Sequence, residues 1–416
     1  SPSVLNVRSA RSRIFEQCSK ITPESLACES VPLDKALQRV LAEEVYADRD
    51  YPPFARSMRD GYAIQAQDAL KVPQDLPCIG EIRAGDTVRL ELHAGEAVQI
   101  MTGAPVPPMA DTVVMLETTE RISPESVRIL KTPRPGDNVA PKGSERLAGE
   151  QVLGPWRTMG PFALAILASV GKSRVRVVRK PTVAILSTGD ELVEIEAIPG
   201  ASKIRNSNSS SLSAQVTRDG GIPVLLQTAP DEVSALKEQI RKGLEADVLL
   251  VSGGVSAGKY DLVEPVLMEL GIKIHFESVS MRPGKPTVFA TRDAKWVFGL
   301  PGNPVSTFVS YAMFVSPVLK TLQGLKYDTL PLIPAVLEAE IVEKSGRTSF
   351  LPAKLFRKGK GFAVQPVKWK GSADIFSAAE ANGLIIIPLE TKKVSRGEIV
   401  EVLVFEECNS QMEGVF

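Results

Sequence analysis

The sequence predicts a multidomain α/β protein whose centre is a doubly wound parallel sheet. Apolar, β-branched runs such as VAILS (183–187) and VLLVS (248–252) are typical of strands buried on both faces of such a sheet. Segments with helical periodicity alternate with these runs, as crossover connections between parallel strands require. On either side of this region the chain changes to short strands punctuated by Gly and Pro, which predicts additional β-rich domains.

Four domains are predicted, because a chain of 416 residues is too long for a single core. The central domain is the α/β domain, and a β-rich domain is inserted into a small helical and mixed linking domain that precedes it. A β-barrel-like domain follows at the C-terminal end. The predicted bounds are 1–26 and 174–325 for the α/β domain, 27–50 and 150–173 for the linking domain, 51–149 for the inserted domain, and 326–416 for the C-terminal domain.

Taken in order, the elements begin with an amphipathic helix predicted over Val7–Lys20. A second helix is predicted within Val31–Ala47 from apolar residues at helical spacing, followed by a short strand. Residues 159–171 are a short apolar run, predicted to form a helix that packs against it. In the α/β region, Asn303 and Pro304 are suited to the cap and first turn of a helix that follows the strand KWVFGL.

Composition excludes several classes of function. Lys+Arg and Asp+Glu both number 49, and this balance argues against a general binder of nucleic acid. The four cysteines are scattered and only two histidines occur, so neither a disulfide framework nor a zinc site is predicted, and His275 is read as a strand residue. Neither a signal peptide nor an apolar run of about 18 residues was found, so we expect a cytoplasmic protein without a membrane span.

Three predicted strand ends carry small and polar residues. The loops are Ser187–Glu191, Ser252–Asp261 and Leu300–Ser306, and the carboxyl ends of parallel strands meet at one edge of a sheet. Backbone amides and hydroxyls of such loops suit a phosphate, and carboxylates suit a divalent cation. Each loop taken alone is also compatible with an ordinary turn or helix cap.

A basic turn, Arg-Pro-Gly-Lys-Pro at 282–286, is a second candidate site. Arg282 and Lys285 are three residues apart on a backbone stiffened by two prolines, which suits the binding of a small tetrahedral dianion. The alternative is a basic surface turn.

The carboxylates have alternative roles. Asp190, Glu191 and Asp261 follow strand ends, where they are candidate metal ligands. Asp231 follows Pro230 at a helix start, and a role as N-cap explains it as well as a catalytic role does. Asp60 precedes Gly61 in a turn that Asp-Gly favours whatever the function.

Taken together, the motifs resemble those of the molybdopterin molybdotransferase family, which includes the bacterial enzyme of molybdenum cofactor synthesis and the E domain of gephyrin. The resemblance covers nearly the whole chain, and its motifs occur in order. They are SMRDGYA (57–63), MTGAPVP (101–107), STGDEL (187–192), IRNSN (204–208), SGGVSAGKYD (252–261), MRPGKP (281–286) and LPGNPVS (300–306).

The resemblance implies insertion of molybdenum from molybdate into the dithiolene of molybdopterin, free or adenylylated, with Mg²⁺ on the phosphates. It also implies a homodimer whose partners are a molybdopterin adenylyltransferase and the enzymes that accept the cofactor, and no nucleic acid. A non-catalytic, pterin-binding or scaffold protein of the same fold is the alternative. A nucleotide-dependent phosphotransferase is a further reading, weakened because no GxxxxGK[ST] loop is present.

Residue roles are carried over by motif match. The implied catalytic residues are Asp60, Thr102, Glu191, Asp231 and Asp261, and the implied metal ligands are Asp190, Glu191 and Asp261. Molybdate is expected on Arg282, Lys285, Pro286, Ser306, Arg347 and Ser372. The pterin and its phosphate are expected on Ser187, Thr188, Gly189, Ser252, Gly253, Gly254, Ser256, Gly258, Pro301 and Pro304.

Three positions depart from the family pattern. Arg282 stands where Lys is usual, Asn206 replaces a usual Asp, and Glu145 replaces an Asp. Each change alters charge or its geometry, so we expect an effect on rate or on the form of substrate rather than on the reaction class.

Overall fold

The structure is a computed structural model that describes residues 4–87, 90–255, 262–326 and 330–406. The chain divides into two compact units, one formed by Glu29–Val177 and the other by Ser1–Cys28 together with Val178–Phe416. Helix α1 (Val7–Cys18) belongs to the second unit, and its buried face contributes to that unit's core. Its N-cap is Asn6, whose side chain accepts from the Ser9 amide, so the predicted amphipathic helix is confirmed, with its end at Cys18.

The unit Glu29–Val177 is built around a curled, six-stranded half-barrel sheet. Its strands are β1 (Gly61–Ile64), β2 (Gln74–Ile82), β3 (Ala97–Ile100), β4 (Thr112–Met115), β5 (Thr119–Ser123) and β6 (Ser126–Ile129). They lie in the order β4-β1-β3-β2-β6-β5. All four residues of β1 are buried, because this strand has a neighbour on each side and apolar residues on both of its faces. The β-rich prediction for this stretch is confirmed.

The helix predicted within Val31–Ala47 is wrong. The segment contains a strand at Cys28–Pro32, one 3₁₀ turn at Leu33–Lys35 and a strand at Val45–Tyr46, and Gln38 has a positive φ of 61°. Its backbone groups bond to residues far along the chain, as in the amide of Leu41 donating to the Arg157 carbonyl. Helical spacing of apolar residues was therefore overridden by tertiary hydrogen bonds. The predicted short apolar helix is present as α2 (Pro161–Ser169) and shares a core with this segment.

Three pairs of short strands complete this part of the chain. Cys28–Pro32 pairs with Arg174–Val178, Val45–Tyr46 with Gln151–Leu153, and Arg56–Ser57 with Val139–Ala140.

The second unit contains the predicted α/β sheet. Its strands are β7 (Thr182–Ser187), β8 (Ile222–Leu225), β9 (Val248–Ser252), β10 (Lys273–Phe276), β11 (Val288–Arg292) and β12 (Lys295–Leu300). The strands lie in the order β8-β7-β9-β12-β11-β10, and the first four are parallel. At one edge, β11 pairs antiparallel with β12, and β10 pairs antiparallel with β11. A two-residue turn joins β11 to β12, and such a hairpin can only be antiparallel.

Helices cover both faces of this sheet. They are α3 (Ser207–Arg218), α4 (Val233–Gly243), α5 (Val263–Glu269), α6 (Pro304–Ser310) and α7 (Ser316–Leu322). Along β7, Val183 and Ile185 join the core shared with α3, α6 and α1, whereas Ala184 and Leu186 join the core shared with α4 and α5. This alternation follows from the two-residue period of a strand, and it confirms the doubly wound α/β class.

One helical stretch among the described residues, Pro304–Leu322, is long and apolar enough to cross a membrane by length and composition. It joins α6 to α7 through a π-helical turn at Tyr311–Val315. No apolar run of about 18 residues was predicted from the sequence. Because 78% of its window is buried inside the protein, the stretch is accounted for as a core helix.

The C-terminal part is a closed five-stranded barrel. Its strands are β13 (Leu332–Leu337), β14 (Thr348–Lys358), β15 (Gly361–Pro366), β16 (Gly383–Ile387) and β17 (Ile399–Val404). They close in the order β14-β15-β13-β17-β16, with β16 returning to β14. The barrel predicted from the short strands is confirmed. The bounds of the four predicted domains stay a prediction.

Candidate functional site

A cavity of about 1170 Å³ opens where the parallel strands β7, β9 and β12 end. It lies within the second unit, and residues from the C-terminal region close one side of it. Open α/β sheets bind ligands at this edge because the strand-end loops present amides and hydroxyls there. Most of the predicted site residues line it. These are Ser187, Thr188, Gly189, Glu191, Asp231, Ser252, Gly253, Gly254, Arg282, Lys285, Pro286, Pro301, Pro304, Ser306, Arg347 and Ser372.

The remaining predicted residues do not line the cavity. Asp60 and Thr102 belong to the unit Glu29–Val177, and Asp190 is adjacent to the cavity without being part of its wall. Ser256, Gly258 and Asp261 lie outside the described residues.

The loops after β7 and β9 pack closely on one another. The amide of Thr188 donates to the Ser252 carbonyl at 3.0 Å, and the amide of Gly253 donates to the Leu300 carbonyl at 3.0 Å. Gly253 has a φ of +98°, and a Cβ there would lie 2.6 Å from the Thr188 carbonyl oxygen. Only glycine fits this position, so the shape of the cavity floor depends on it.

Asn208 joins the loops that follow β9 and β12, and it was not among the predicted site residues. Its side-chain amide donates to Ser252 Oγ at 2.9 Å and to the Gly302 carbonyl at 2.7 Å. A single amide nitrogen carries two donors, so Asn208 uses both to connect the ends of β9 and β12. Its place as the second Asn of the IRNSN motif is the sequence feature that could have indicated this role.

We use the name oxyanion wall for the residues predicted to bind molybdate: Arg282, Lys285, Pro286, Ser306, Arg347 and Ser372. The short strand Met281–Arg282 pairs in parallel with Thr348–Ser349, which brings Arg282 beside Arg347. Arg347 Nη1 donates to the Met281 carbonyl at 3.4 Å.

Ser372 is held against the start of α6. Its hydroxyl accepts from Asn303 Nδ2 at 2.9 Å, and its carbonyl accepts from the Val305 amide at 3.0 Å. The predicted positions of Asn303 as cap and Pro304 as first residue of α6 are correct, although the Asn303 side chain bonds to Ser372 rather than to the helix. Because Ser372 Oγ accepts that bond, its own proton remains available for an anion.

The charges in the cavity wall are unbalanced. Five cations line it within the described residues, against two carboxylates, Glu191 and Asp231. Only one of the five, Arg282, has a carboxylate within 4 Å in the described parts of the chain. The cations are Lys203, Arg205, Arg282, Lys285 and Arg347. A concave surface with excess positive charge favours anionic ligands.

The predicted metal ligands are only partly brought together. Asp190 Oδ1 accepts from the Asp231 amide at 3.1 Å, and a Cβ on Gly189 would lie 2.5 Å from a Glu191 carboxylate oxygen. The residues described by the structure contain no group of three His, Cys, Asp or Glu side chains suited to a metal. The N-cap role considered for Asp231 is wrong, because α4 begins after Glu232.

Asp60 and Thr102 are brought together by the fold of their own unit. Asp60 Oδ1 accepts from the Thr102 hydroxyl at 2.7 Å and from its amide at 2.6 Å. These two bonds, the hydroxyl contributing most, hold the pKa of Asp60 below its ordinary value. Residues 42 apart in sequence therefore form one exposed polar pair.

Replacing Thr102 by Val should raise the pKa of Asp60 toward its ordinary value, because the hydroxyl bond is lost while the amide bond remains. Titration of the Asp60 carboxyl by NMR measures this shift. Thr118→Val, which removes a hydroxyl bonded to the Met115 carbonyl in the same unit, is the control and should leave Asp60 unchanged. An unchanged Asp60 pKa in Thr102→Val would show that the hydroxyl does not stabilise the carboxylate.

Glu343 is a buried carboxylate behind the oxyanion wall. Its Oε1 accepts from the Ser345 amide at 2.7 Å and lies 3.5 Å from Arg282 Nη1. Burial would raise its pKa, but bonds from Ser345 and Ser349 and the charge of Arg282 outweigh this and hold the pKa below its ordinary value. Glu343 therefore forms an ion pair with Arg282 at the wall, and this contact was not predicted from the sequence.

Glu343→Gln should lower the free energy of unfolding by about 1–3 kcal/mol at neutral pH, because charge-assisted bonds are lost. A lowered folded-state pKa means that Glu343 stabilises the fold above its unfolded-state pKa of about 4.3, and that this contribution disappears as the pH falls through the folded-state value. Denaturant unfolding of both proteins between neutral and acidic pH measures it. If the stability difference between the two proteins did not decrease at low pH, the ionised Glu343 carboxylate would not be its cause.

The other two departures from the family pattern have local roles. Asn206 caps α3, where its Oδ1 accepts from the Ser209 amide at 3.1 Å and its side chain is buried. Glu145 forms an exposed ion pair with Arg56 at 2.6 Å.

Comparison with known families divides the chain into three consecutive matches. Residues 5–171 match the MoeA N-terminal region (domain I and II), residues 184–321 a probable molybdopterin binding domain, and residues 334–405 the MoeA C-terminal region (domain IV). Together they account for most of the chain.

Individual relatives align with this chain over almost their full length. The molybdopterin molybdenumtransferase of Nostoc sp. is 36% identical over 96% of this chain and 93% of its own length, and that of Bacillus subtilis is 34% identical over 92% and 90%. The crystal structure of the molybdopterin biosynthesis MoeA protein of Pyrococcus horikoshii matches with a TM-score of 0.80 and 33% identity, over 97% of this chain and all of that one. The chain thus belongs to the molybdopterin molybdenumtransferase family, whose members are transferases of molybdenum cofactor biosynthesis.

Proposed function

We propose that this protein inserts molybdenum from molybdate into the dithiolene of molybdopterin, which it receives free or adenylylated. The observation that carries this proposal is the cavity itself. The cavity is lined by loops of the type that binds phosphate, by the oxyanion wall and by two carboxylates, and its wall carries more positive than negative charge. Both substrates are anions, and the cavity offers distinct groups for each.

Molybdate would bind to the oxyanion wall. Arg347 supplies a planar fork of donors, Lys285 a compact charge, and Ser306 and Ser372 supply hydroxyl donors, a set that suits a tetrahedral dianion. Pro286 has no N–H and contributes surface only. Glu343 keeps Arg282 in place, so that the Arg found at this position still directs its charge to the wall.

The pterin and its phosphate would lie on the strand-end loops. Ser187, Thr188, Gly189, Ser252, Gly253 and Gly254, with Pro301 and Pro304, form the adjoining part of the cavity surface. The amides of Thr188, Gly189 and Gly253 already donate to backbone carbonyls, so the phosphate would contact these loops mainly through hydroxyl groups. The Thr188 hydroxyl is buried and has no hydrogen-bond partner among the described residues, so it is available to a ligand. Ser256 and Gly258 are proposed from the sequence alone.

Mg²⁺ fits this cavity in the mode in which one or two carboxylates and substrate phosphates share the ion. Glu191 and Asp231 line the cavity and would supply the carboxylates, with Asp190 beside them and Asp261 proposed from the sequence. The ion would neutralise phosphate charge when bound. The same carboxylates would position water for release of an adenylyl group.

The remaining proposals rest on family membership. Asp60 and Thr102 are proposed as catalytic residues that a homodimer would supply to the site. We further propose a cytoplasmic protein that receives its substrate from a molybdopterin adenylyltransferase and passes the product to cofactor-accepting enzymes.

A defined insertion assay tests the function. The protein is mixed with free or adenylylated molybdopterin, Mg²⁺ and molybdate, and product is scored by reactivation of a cofactor-free molybdoenzyme. We expect reactivation that depends on the protein and on molybdate. Pterin binding without reactivation would instead support the non-catalytic binding or scaffold role.

A further inference from the structure

Lys203 and Arg205 line the cavity, yet they belong neither to the oxyanion wall nor to the loops predicted to bind the pterin. The short strand Ile204–Arg205 pairs in parallel with Leu192–Val193, and the Ile204 amide donates to the Glu191 carbonyl at 2.8 Å. This pairing fixes both cations beside the loop that follows β7.

The two side chains are tethered but not neutralised. Lys203 Nζ donates to the Asp190 carbonyl at 2.5 Å, and Arg205 Nε donates to the Ala197 carbonyl at 3.0 Å. These acceptors carry no formal charge, and neither cation has a carboxylate within 4 Å in the described ranges. Each side chain therefore has unused N–H donors at the cavity wall.

The two pairs of cations in the cavity wall are held beside different strands of the sheet. Lys203 and Arg205 follow β7, whereas the turn holding Arg282 and Lys285 leads into β11. In the sheet order β7-β9-β12-β11, the strand ends beside which the two pairs are held are three strand spacings apart, roughly 14 Å. A single small anion cannot contact both groups, but an elongated ligand with two anionic ends can.

We propose that Lys203 and Arg205 form a phosphoryl subsite, separate from the oxyanion wall, which holds the phosphorylated end of the pterin substrate. The identity of this ligand rests on the proposed function. Its phosphoryl group is either the monophosphate of molybdopterin or the diphosphate of the adenylylated form. Either one places the dithiolene between the phosphoryl subsite and the wall where molybdate binds.

The test is a calorimetric titration of the full chain. Molybdate is titrated first, and then inorganic phosphate and inorganic pyrophosphate are each titrated in the presence of saturating molybdate. Wild type is compared with Lys203→Met, Arg205→Met and Lys285→Met. Lys203→Arg retains the charge, and Lys360→Met removes an exposed lysine of the barrel that does not line the cavity.

We expect opposite effects in the two groups of variants. Lys203→Met and Arg205→Met should weaken phosphoryl binding about tenfold or more and leave molybdate affinity within about twofold, and Lys285→Met should do the reverse. Lys203→Arg should retain most of the affinity, and Lys360→Met all of it. If Lys203→Met and Arg205→Met lose affinity for pyrophosphate alone, the subsite binds a diphosphate. If they lose affinity for phosphate equally, it binds a monophosphate.

Two results would overturn the proposal. Unchanged phosphoryl affinity in Lys203→Met and Arg205→Met would show that the cations are only solvated surface groups. An equal loss of phosphoryl and molybdate binding in all three Met variants, with unchanged thermal unfolding, would show a single shared anion site. These titrations need no turnover, so they test the subsite independently of the insertion assay. If the protein failed the insertion assay but its variants lost phosphoryl and molybdate binding separately as expected, the proposed function would be refuted and the phosphoryl subsite would stand.

Discussion

Lys285→Met should weaken molybdate binding about 10- to 100-fold, because a charged hydrogen bond to the anion is worth about 1.5–3 kcal/mol. Lys285 is exposed at the cavity wall and has no carboxylate partner within the described residues. Its charge is therefore available to a ligand in the unliganded protein. Methionine keeps an unbranched side chain, one atom shorter than that of lysine, and removes the charge and its N–H donors.

Calorimetric titration with molybdate measures this loss, and the insertion assay should show a matching fall in the rate at low molybdate. Lys344→Met is the matched control, since Lys344 is exposed close to the wall but does not line the cavity. High molybdate should restore much of the rate if Lys285 acts in binding alone. Wild-type affinity in Lys285→Met would remove this residue from the oxyanion site and weaken the proposed function.

Gly253→Ala should lower the free energy of unfolding by about 1–3 kcal/mol from backbone strain alone. The overlap of the new Cβ with the Thr188 carbonyl at 2.6 Å should add to this loss. That carbonyl is backbone, so it cannot rotate away as a side chain would. The loops after β7 and β9 would have to separate, and pterin binding should weaken together with stability.

Denaturant unfolding measures the stability change, and Gly397→Ala isolates the strain. Gly397 has a similar φ of +92°, but a Cβ added there would have no atom within 4 Å, and the residue lies in the barrel away from the cavity. We expect the Gly397 variant to lose less stability than the Gly253 variant and to retain ligand binding. Equal losses in the two variants would show that the contact with Thr188 is unimportant.

Local patterns determined much of the fold and part of the site. The buried runs of β7 and β9, the helix α1 and the short barrel strands follow from periodicity and residue type, because each pattern extends over a whole element. The strand-end loops Ser187–Glu191 and Leu300–Ser306 were predicted to meet because parallel strands place their carboxyl ends at one edge. The Arg-Pro-Gly-Lys-Pro turn was predicted to bind an anion because both of its cations lie within five consecutive residues.

Only the tertiary structure decided the features that depend on partners distant in sequence. Residues 31–47 have helical spacing, yet their backbone bonds to residues between 149 and 176 and the helix does not form. Glu343 behind Arg282, Asn208 between the loops, and the uncompensated charges of Lys203 and Arg205 became visible only once the cavity was assembled. Sequence by itself determined which chemistry the chain carries, and the packing of distant segments decided which of those groups face one another.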